Sequence, residues 1–300
     1  MNQSLGEQDL RSGFVGIIGR PNVGKSTLLN RILGQKISIT SNKPQTTRNR
    51  ILGIYNRPQA QILFLDTPGV HQARGPLHRY MVEQALATRG ASDLIFYLVD
   101  ATAGAVCDED LVSRVLQGGR PAFLVINKID LVPKPVLLEI MAAHREHAFA
   151  EIIPVSAETG ENLERLLDVT IGYLPKGPRY YPEDQVTDLP ERFICAEFIR
   201  EKIMRLTRDE IPYGCAVVVE SFTEKPEKNL IHIEATIQVE REAHKRILIG
   251  TRGSMIRRIG EDARGAIEAM LGTRVYLELF VRVRRNWTRD EYQVRDLGYE

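Results

Sequence analysis

Short apolar runs recur through residues 14–174, most of them ending on a polar or glycine-rich stretch. Phe14–Ile18, Ile62–Leu65, Phe123–Ile126 and Ile152–Val155 read as buried strands. Helical spacing fills the intervals, as at Thr27–Leu33. That alternation predicts an α/β domain with a mostly parallel sheet over residues 13–175, after a polar N-terminal tail, 1–12. Leu174–Pro190 breaks the pattern with prolines and polar residues, and 176–191 is expected to be a linker. Its Tyr180 and Tyr181 are placed to dock on one of the domains. Periodicity resumes in 192–300. A helix over Phe193–Leu206 precedes strands at Ala216–Phe222 and Leu230–Val239. A short helix at Arg241–Leu248, a longer one at Ser254–Leu271 and a strand at Arg274–Val283 complete an α+β domain.

The turn after the first strand carries chemistry. Gly19, Arg20, Pro21, Asn22, Val23, Gly24, Lys25 and Ser26 make a full G-x-x-x-x-G-K-S loop between a strand and a helix that opens at Thr27. Such a loop points backbone N–H groups and a helix N-terminus at phosphates. Lys25 can reach the β- and γ-phosphates, and the Ser26 hydroxyl can ligate Mg²⁺.

Three further motifs fall at strand ends. Asn127, Lys128, Ile129 and Asp130 follow an apolar run. A carboxylate there can accept both guanine N1–H and N2–H₂, which adenine cannot offer. Asn127 would tie the base to the loop, and the Lys128 stem can cover a face of the ring. Asp66, Thr67, Pro68 and Gly69 follow Ile62–Leu65, with Asp66 placed to hold the water shell of Mg²⁺ and the Gly69 N–H to sense the γ-phosphate. Ser156 and Ala157 fit a guanine-contacting loop, with the Ala157 N–H donating to O6. D-x-x-G alone says little, since it recurs at Asp262–Gly265; order and spacing carry the argument. The polar stretch Ser41–Arg50 reads as a switch loop. Either Thr46 or Thr47 would join the Mg²⁺ shell, and Thr47 is favoured.

The loop at Gly19–Ser26, Gln45–Arg48, Asp66–Gly69, Asn127–Asp130 and Ser156–Ala157 stand in the order seen in translation-factor-like GTPases, and closely resemble the Era family. The resemblance implies a P-loop GTPase domain using GTP, GDP and Mg²⁺, with Ile51–Tyr55 as its antiparallel strand. Only one set of motifs is present, unlike the tandem relatives. Val70 stands where Ras-like proteins place a water-orienting glutamine. Slow intrinsic hydrolysis is therefore expected. Asn22 marks potassium-activated members of the superfamily, so K⁺ beside the phosphates is a possible aid, the alternative being a turn residue only. His71 is the nearest side chain able to act as a base, though an exposed loop histidine is the plainer reading.

In the second domain the order helix, strand, strand, helix, Gly250-Thr251-Arg252-Gly253, helix, strand resembles a type II KH domain, whose GxxG loop clamps a single-stranded nucleic-acid backbone. G-x-x-G by itself is weak, recurring at Gly13–Gly16 and Gly16–Gly19. Its place between two helices, after Ile247–Ile249, gives it weight. Residues 181–300 carry 20 basic and 22 acidic residues, so the domain is not basic overall. Local charge is different. Lys245, Arg246, Arg252, Arg257 and Arg258 surround the loop, and no acidic residue lies from 243 to 259. Arg282, Arg284, Arg285 and Arg289 form a second basic cluster, where Trp287 could stack on a base or pack inward.

With this domain the Era resemblance spans nearly the whole chain. It implies binding of the 3′ end of small-subunit (16S) ribosomal RNA through Lys245, Arg246, Ile249, the Gly250–Gly253 loop, Arg257 and Arg258. It also implies a role in 30S subunit biogenesis. A cytoplasmic monomer, peripherally associated with the inner membrane, is the expected form. The alternative is a membrane-associated signalling GTPase whose C-terminal domain binds protein. No apolar run approaches the ~20 residues of a membrane span, and the polar, acidic N-terminus is no secretory signal. Cys107, Cys195 and Cys215 are scattered without C-x-x-C spacing, which favours reduced thiols over a disulfide frame or a zinc site.

Overall fold

In the computed structural model, which describes residues 10–69 and 75–299, the first-half pattern becomes one layered element series. It runs β1 (Arg11–Gly19), α1 (Lys25–Leu33), β2 (Ile51–Arg57), β3 (Ala60–Asp66), α2 (Pro76–Ala91), β4 (Leu94–Asp100) and α3 (Glu109–Leu116). β5 (Ala122–Asn127), α4 (Lys134–His144), β6 (Glu151–Pro154) and α5 (Leu163–Tyr173) follow. The strands form one sheet in the order β2-β3-β1-β4-β5-β6. All neighbours are parallel except β2, which runs antiparallel to β3. Every residue of β3 and β5 is buried, as expected of strands in a parallel sheet covered on both faces. β1 begins at Arg11, inside the stretch expected to be tail, because Leu10 is buried and Arg11 N–H donates to Gln59 O at 3.1 Å.

The proline-rich stretch is ordered along the sheet edge. Ile54 N–H donates to Val186 O at 2.8 Å, and Thr187 Oγ1 donates to Leu52 O at 2.6 Å. Tyr181 packs on Leu52, Ile54, Leu63 and Leu65, and the Tyr180 ring lies 5.5 Å from Phe14. The stretch thus covers an edge strand that would otherwise be open.

The chain divides into two compact units. The second holds 189–299 together with the earlier segments 39–46 and 75–80. In it, α6 (Glu191–Leu206), β7 (Cys215–Lys225), β8 (Leu230–Val239), α7 (Glu242–Ile249), α8 (Ser254–Leu271), β9 (Arg274–Val283) and α9 (Glu291–Asp296) follow in order. The sheet is β7-β8-β9, with β8 and β9 parallel. This is the KH-like α+β arrangement expected. Ile231, Ile233, Ala235, Ile237 and Val239 alternate inward from β8 onto α6 and α8, with Ile39 in the same core.

Segment 39–46 is held by α6. Glu201, fully buried, accepts Thr40 N–H at 3.0 Å. Lys43 Nζ donates to Met204 O at 2.5 Å and also to Thr207 O, capping the helix C-terminus. Arg200, also fully buried, donates from Nε to Glu197 Oε1 at 2.7 Å and from Nη2 to Thr46 O at 2.5 Å. Trp287 is buried, donates to Gly214 O at 3.0 Å and stacks on Tyr299. It packs inward, so base stacking by Trp287 is not its role here. Among the described residues no helix is long and apolar enough to cross a membrane.

Candidate functional site

The strand-loop-helix around Lys25 forms because β1 is buried and α1 starts immediately after Gly24. Gly24 sits at φ 98°, and a Cβ there would stand 2.2 Å from Asn127 Nδ2, so only glycine fits. Lys25 is 6 % exposed and donates from Nζ to Gly19 O at 3.1 Å and Arg20 O at 2.9 Å. Burial pushes its ammonium down to about 8, with Asp66 opposing. The same burial pushes the Asp66 carboxyl up, against hydrogen bonds from Ser26 and Ser38 and the charge of Lys25. Burial thus disfavours the charged form of both groups.

The cation corner is well defined. Ser26 Oγ donates to Asp66 Oδ2 at 2.6 Å and Ser38 Oγ to the same oxygen at 3.0 Å. Thr47 Oγ1 lies 2.8 Å from Ser26 Oγ, whereas Thr46 Oγ1 turns away to Lys43 O at 2.7 Å. The geometry therefore favours Thr47 over Thr46. Asp66 Oδ1 is buried with no hydrogen-bond partner among the described residues. Such an orphaned carboxylate oxygen fits Mg²⁺ or its water shell. Ser38 was not legible in the sequence, since a lone serine in a loop carries no pattern. Thr67 Oγ1 donates to Ile17 O at 2.7 Å and anchors the Asp66 turn to β1. A Cβ on Gly69 would come within 2.8 Å of Pro21 Cα, so this turn lies directly against the phosphate loop. Val70 and His71 lie outside the described residues. Asn22 is exposed at φ 64°, a turn conformation that Asn tolerates.

Asn127 bridges two loops. Its Nδ2 donates to Val23 O at 2.8 Å, and its Oδ1 accepts Ala157 N–H at 2.9 Å. It clamps the phosphate loop to the Ser156 loop. The Ala157 N–H, expected to meet guanine O6, donates to Asn127 Oδ1 in this structure. Ser156 Oγ donates to Asp130 Oδ1 at 2.6 Å, which aims the exposed carboxylate. Lys128, at φ 66°, pairs with Asp100 at 2.5 Å. Burial disfavours the Asp100 charge, but Lys128 and Thr102 outweigh it and hold the carboxyl below the usual range. Ile129 opens the short turn carrying Asp130.

In the second unit, Gly250 ends α7, and Arg252 (φ 53°) and Gly253 (φ 79°) turn the chain into α8. No side chain caps α8, and the space over Gly253 is open. First-turn N–H groups there are available to an anion. Thr251, Arg252, Arg246, Arg257 and Arg258 are exposed around it, while Lys245 and Ile249 are half-buried. Ile247 is 51 % exposed beside them, an apolar surface that the run Ile247–Ile249 did not distinguish. The second basic cluster is partly spent internally: Arg284 pairs with Asp296 at 2.7 Å.

Residues 14–128 match the family model of 50S ribosome-binding GTPases, and residues 210–288 match the KH domain model. GTPase Era of Geobacter metallireducens is 54% identical over 98% of this chain and 100% of its own length. The chain belongs to the Era family of GTPases. GTPase Era of Geotalea uraniireducens is 55% identical, over 98% of this chain and 99% of that one. An Era variant of Aquifex aeolicus, solved with GDP and AlF4−, superposes with a TM-score of 0.93 at 42% identity, covering 97% of this chain and 99% of its own. Era solved with MgGDPNP and nucleotides 1506–1542 of 16S ribosomal RNA gives 0.92 at 43% identity, with the same coverage. As an Era-family member the chain is a GTPase, hydrolysing GTP to GDP and phosphate, with a C-terminal KH domain.

Proposed function

We propose that this GTPase is a Mg²⁺-dependent switch whose KH unit grips the 3′ end of 16S ribosomal RNA during 30S subunit biogenesis. The observation that carries it is the presence, in one chain, of the Ser26–Thr47–Asp66 corner beside Lys25 and of the open, uncapped α8 N-terminus behind Gly253. In this reading the backbone from Gly19 to Thr27 wraps the phosphates and Lys25 holds the β- and γ-oxygens. Ser26 and Thr47 ligate Mg²⁺ directly, Asp66 through water, and the ion neutralises charge on the transferred phosphoryl. The Gly69 N–H meets the γ-phosphate. Asp130 reads guanine, supported by Asn127, Lys128, Ser156 and Ala157. Thr46 and Thr47 are chain neighbours, so a γ-phosphate that orders Thr47 also bears on the Thr46 carbonyl held by Arg200.

K⁺ beside Asn22 is the proposed substitute for a water-orienting side chain. Turnover in K⁺ is expected to exceed that in Na⁺ by about tenfold or more. Asn22→Ala should abolish the difference while leaving GTP affinity within a few fold. Equal phosphate release in the two salts would remove K⁺ from the mechanism.

Lys245, Arg246, Ile249, Gly250, Thr251, Arg252, Gly253, Arg257 and Arg258 form the RNA path. Gly253→Asp puts a negative side chain where a phosphate would lie and should weaken RNA binding roughly 10- to 100-fold, with GTP affinity unchanged. Titration of a fluorescent 3′-end fragment at two salt concentrations checks this, since phosphate contacts make affinity salt-dependent. Unchanged RNA affinity, or none to begin with, would favour a protein-binding signalling GTPase. A cytoplasmic monomer, peripheral to the inner membrane, completes the reading by family likeness.

A further inference from the structure

Away from the nucleotide site, Cys107, Glu109 and His147 converge within the first unit. Cys107 and Glu109 flank Asp108, which caps α3 by accepting Leu111 N–H. His147 follows the end of α4 on a turn closed by its N–H to His144 O at 3.1 Å. The ring centroids of His144 and Phe149, 6.1 and 6.3 Å from its own, fix the imidazole. His147 Nε2 stands 3.4 Å from Cys107 Sγ and 3.5 Å from Glu109 Oε2. All three ligand atoms lie within 4.8 Å of one another.

An N···O separation of 3.5 Å is long for a direct hydrogen bond. A cation at the centre of the three groups would take the place of the Cys107–His147 hydrogen bond. Tetrahedral Zn²⁺, with bonds of about 2.0–2.3 Å, sets neighbouring ligand atoms about 3.3–3.6 Å apart. Thiolate, imidazole and carboxylate together favour Zn²⁺ over the hard cations Mg²⁺ and Ca²⁺.

We propose that Cys107, Glu109 and His147 form a binding site for a Zn²⁺-class divalent cation, with water in the fourth position. On binding, a sulfur–metal bond replaces the S–H bond and the proton passes to solvent; no redox step is involved. Asp108, between two of the ligands, also accepts Arg20 Nε and Nη2 at 2.7 Å. The cation would therefore brace the segment against which a phosphate-loop residue rests. A second cluster, His232, Glu234 and Glu278 on β8 and β9, has no sulfur, and His232 Nε2 already contacts Glu278 Oε2 at 2.8 Å.

Co²⁺ titrated into the full chain should give a sulfur-to-cobalt absorption band that saturates at a single equivalent and is erased by Zn²⁺. Cys107→Ser and His147→Ala should remove the band, Glu109→Gln should weaken Co²⁺ affinity about tenfold or more, and His232→Ala should leave it intact. GTP binding serves as the folding check. Absence of the band in the native chain, its survival in Cys107→Ser, or its loss in His232→Ala would overturn the site. Should the half-buried Cys107 and His147 variants fail to fold, unchanged Co²⁺ affinity in Glu109→Gln, an exposed position, overturns it equally.

Discussion

Lys25→Ala is expected to abolish tight GTP binding. Removing one partner of a buried, hydrogen-bonded charge pair costs about 2–5 kcal/mol, or roughly 30- to 4000-fold in affinity. The upper part of that range applies here, because Lys25 is almost wholly buried and burial disfavours its charged form. The nucleotide-free fold should lose stability as well, because fully buried Asp66 gives up the opposing charge of Lys25. The variant also gives up bonds to Gly19 O and Arg20 O, offset in part by removal of a costly buried charge. Calorimetric GTP titration beside thermal unfolding without nucleotide separates the two effects. A variant that binds GTP within tenfold of the native chain would show that Lys25 is structural only.

Arg200→Ala should be the most damaging change in the second unit. Arg200 is fully buried, and its loss strands the Glu197 carboxylate at 8 % exposure and frees the Thr46 carbonyl. Leaving an uncompensated buried charge costs about 3–5 kcal/mol. Replacing Glu197 and Arg200 together with apolar residues of similar volume should recover much of the loss, since the pair rather than either ion is what the interior accepts. Denaturant unfolding of the two variants gives the comparison. If the single variant is as stable as the native chain, the pair carries none of the stability ascribed to it.

Several strands were easy to read because parallel sheets leave long, unmixed apolar runs, although β4 was not singled out; the bounds of β8, α8 and β9 were read correctly from periodicity. The nucleotide motifs were readable because each needs particular residues at a particular strand end. Less was legible where contacts join residues far apart in sequence. Asn127 reaching Val23 O, Ser38 joining Asp66, and Asp100 pairing with Lys128 each link separate loops through single polar side chains. No local pattern reports such a bond. The proline-rich stretch, expected as a linker with Tyr180 and Tyr181 docked on a domain, lies along β2, where Tyr181 and backbone groups find partners that no local pattern specifies.

The order of its motifs was enough to assign the chain to a guanine-nucleotide-binding fold with a nucleic-acid-binding type of appendage. Those motifs are local, and local backbone chemistry decides them. The fates of Trp287, Thr46 and Cys107 needed the folded chain. Trp287 stood among arginines, yet its large apolar surface was buried under Tyr299. Thr46 and Thr47 are indistinguishable by type, and only the position of Ser26 separates them. Cys107 has no cysteine or histidine at metal-site spacing along the chain. Folding brings His147 to it across forty residues, because α3, α4 and Phe149 share one hydrophobic cluster.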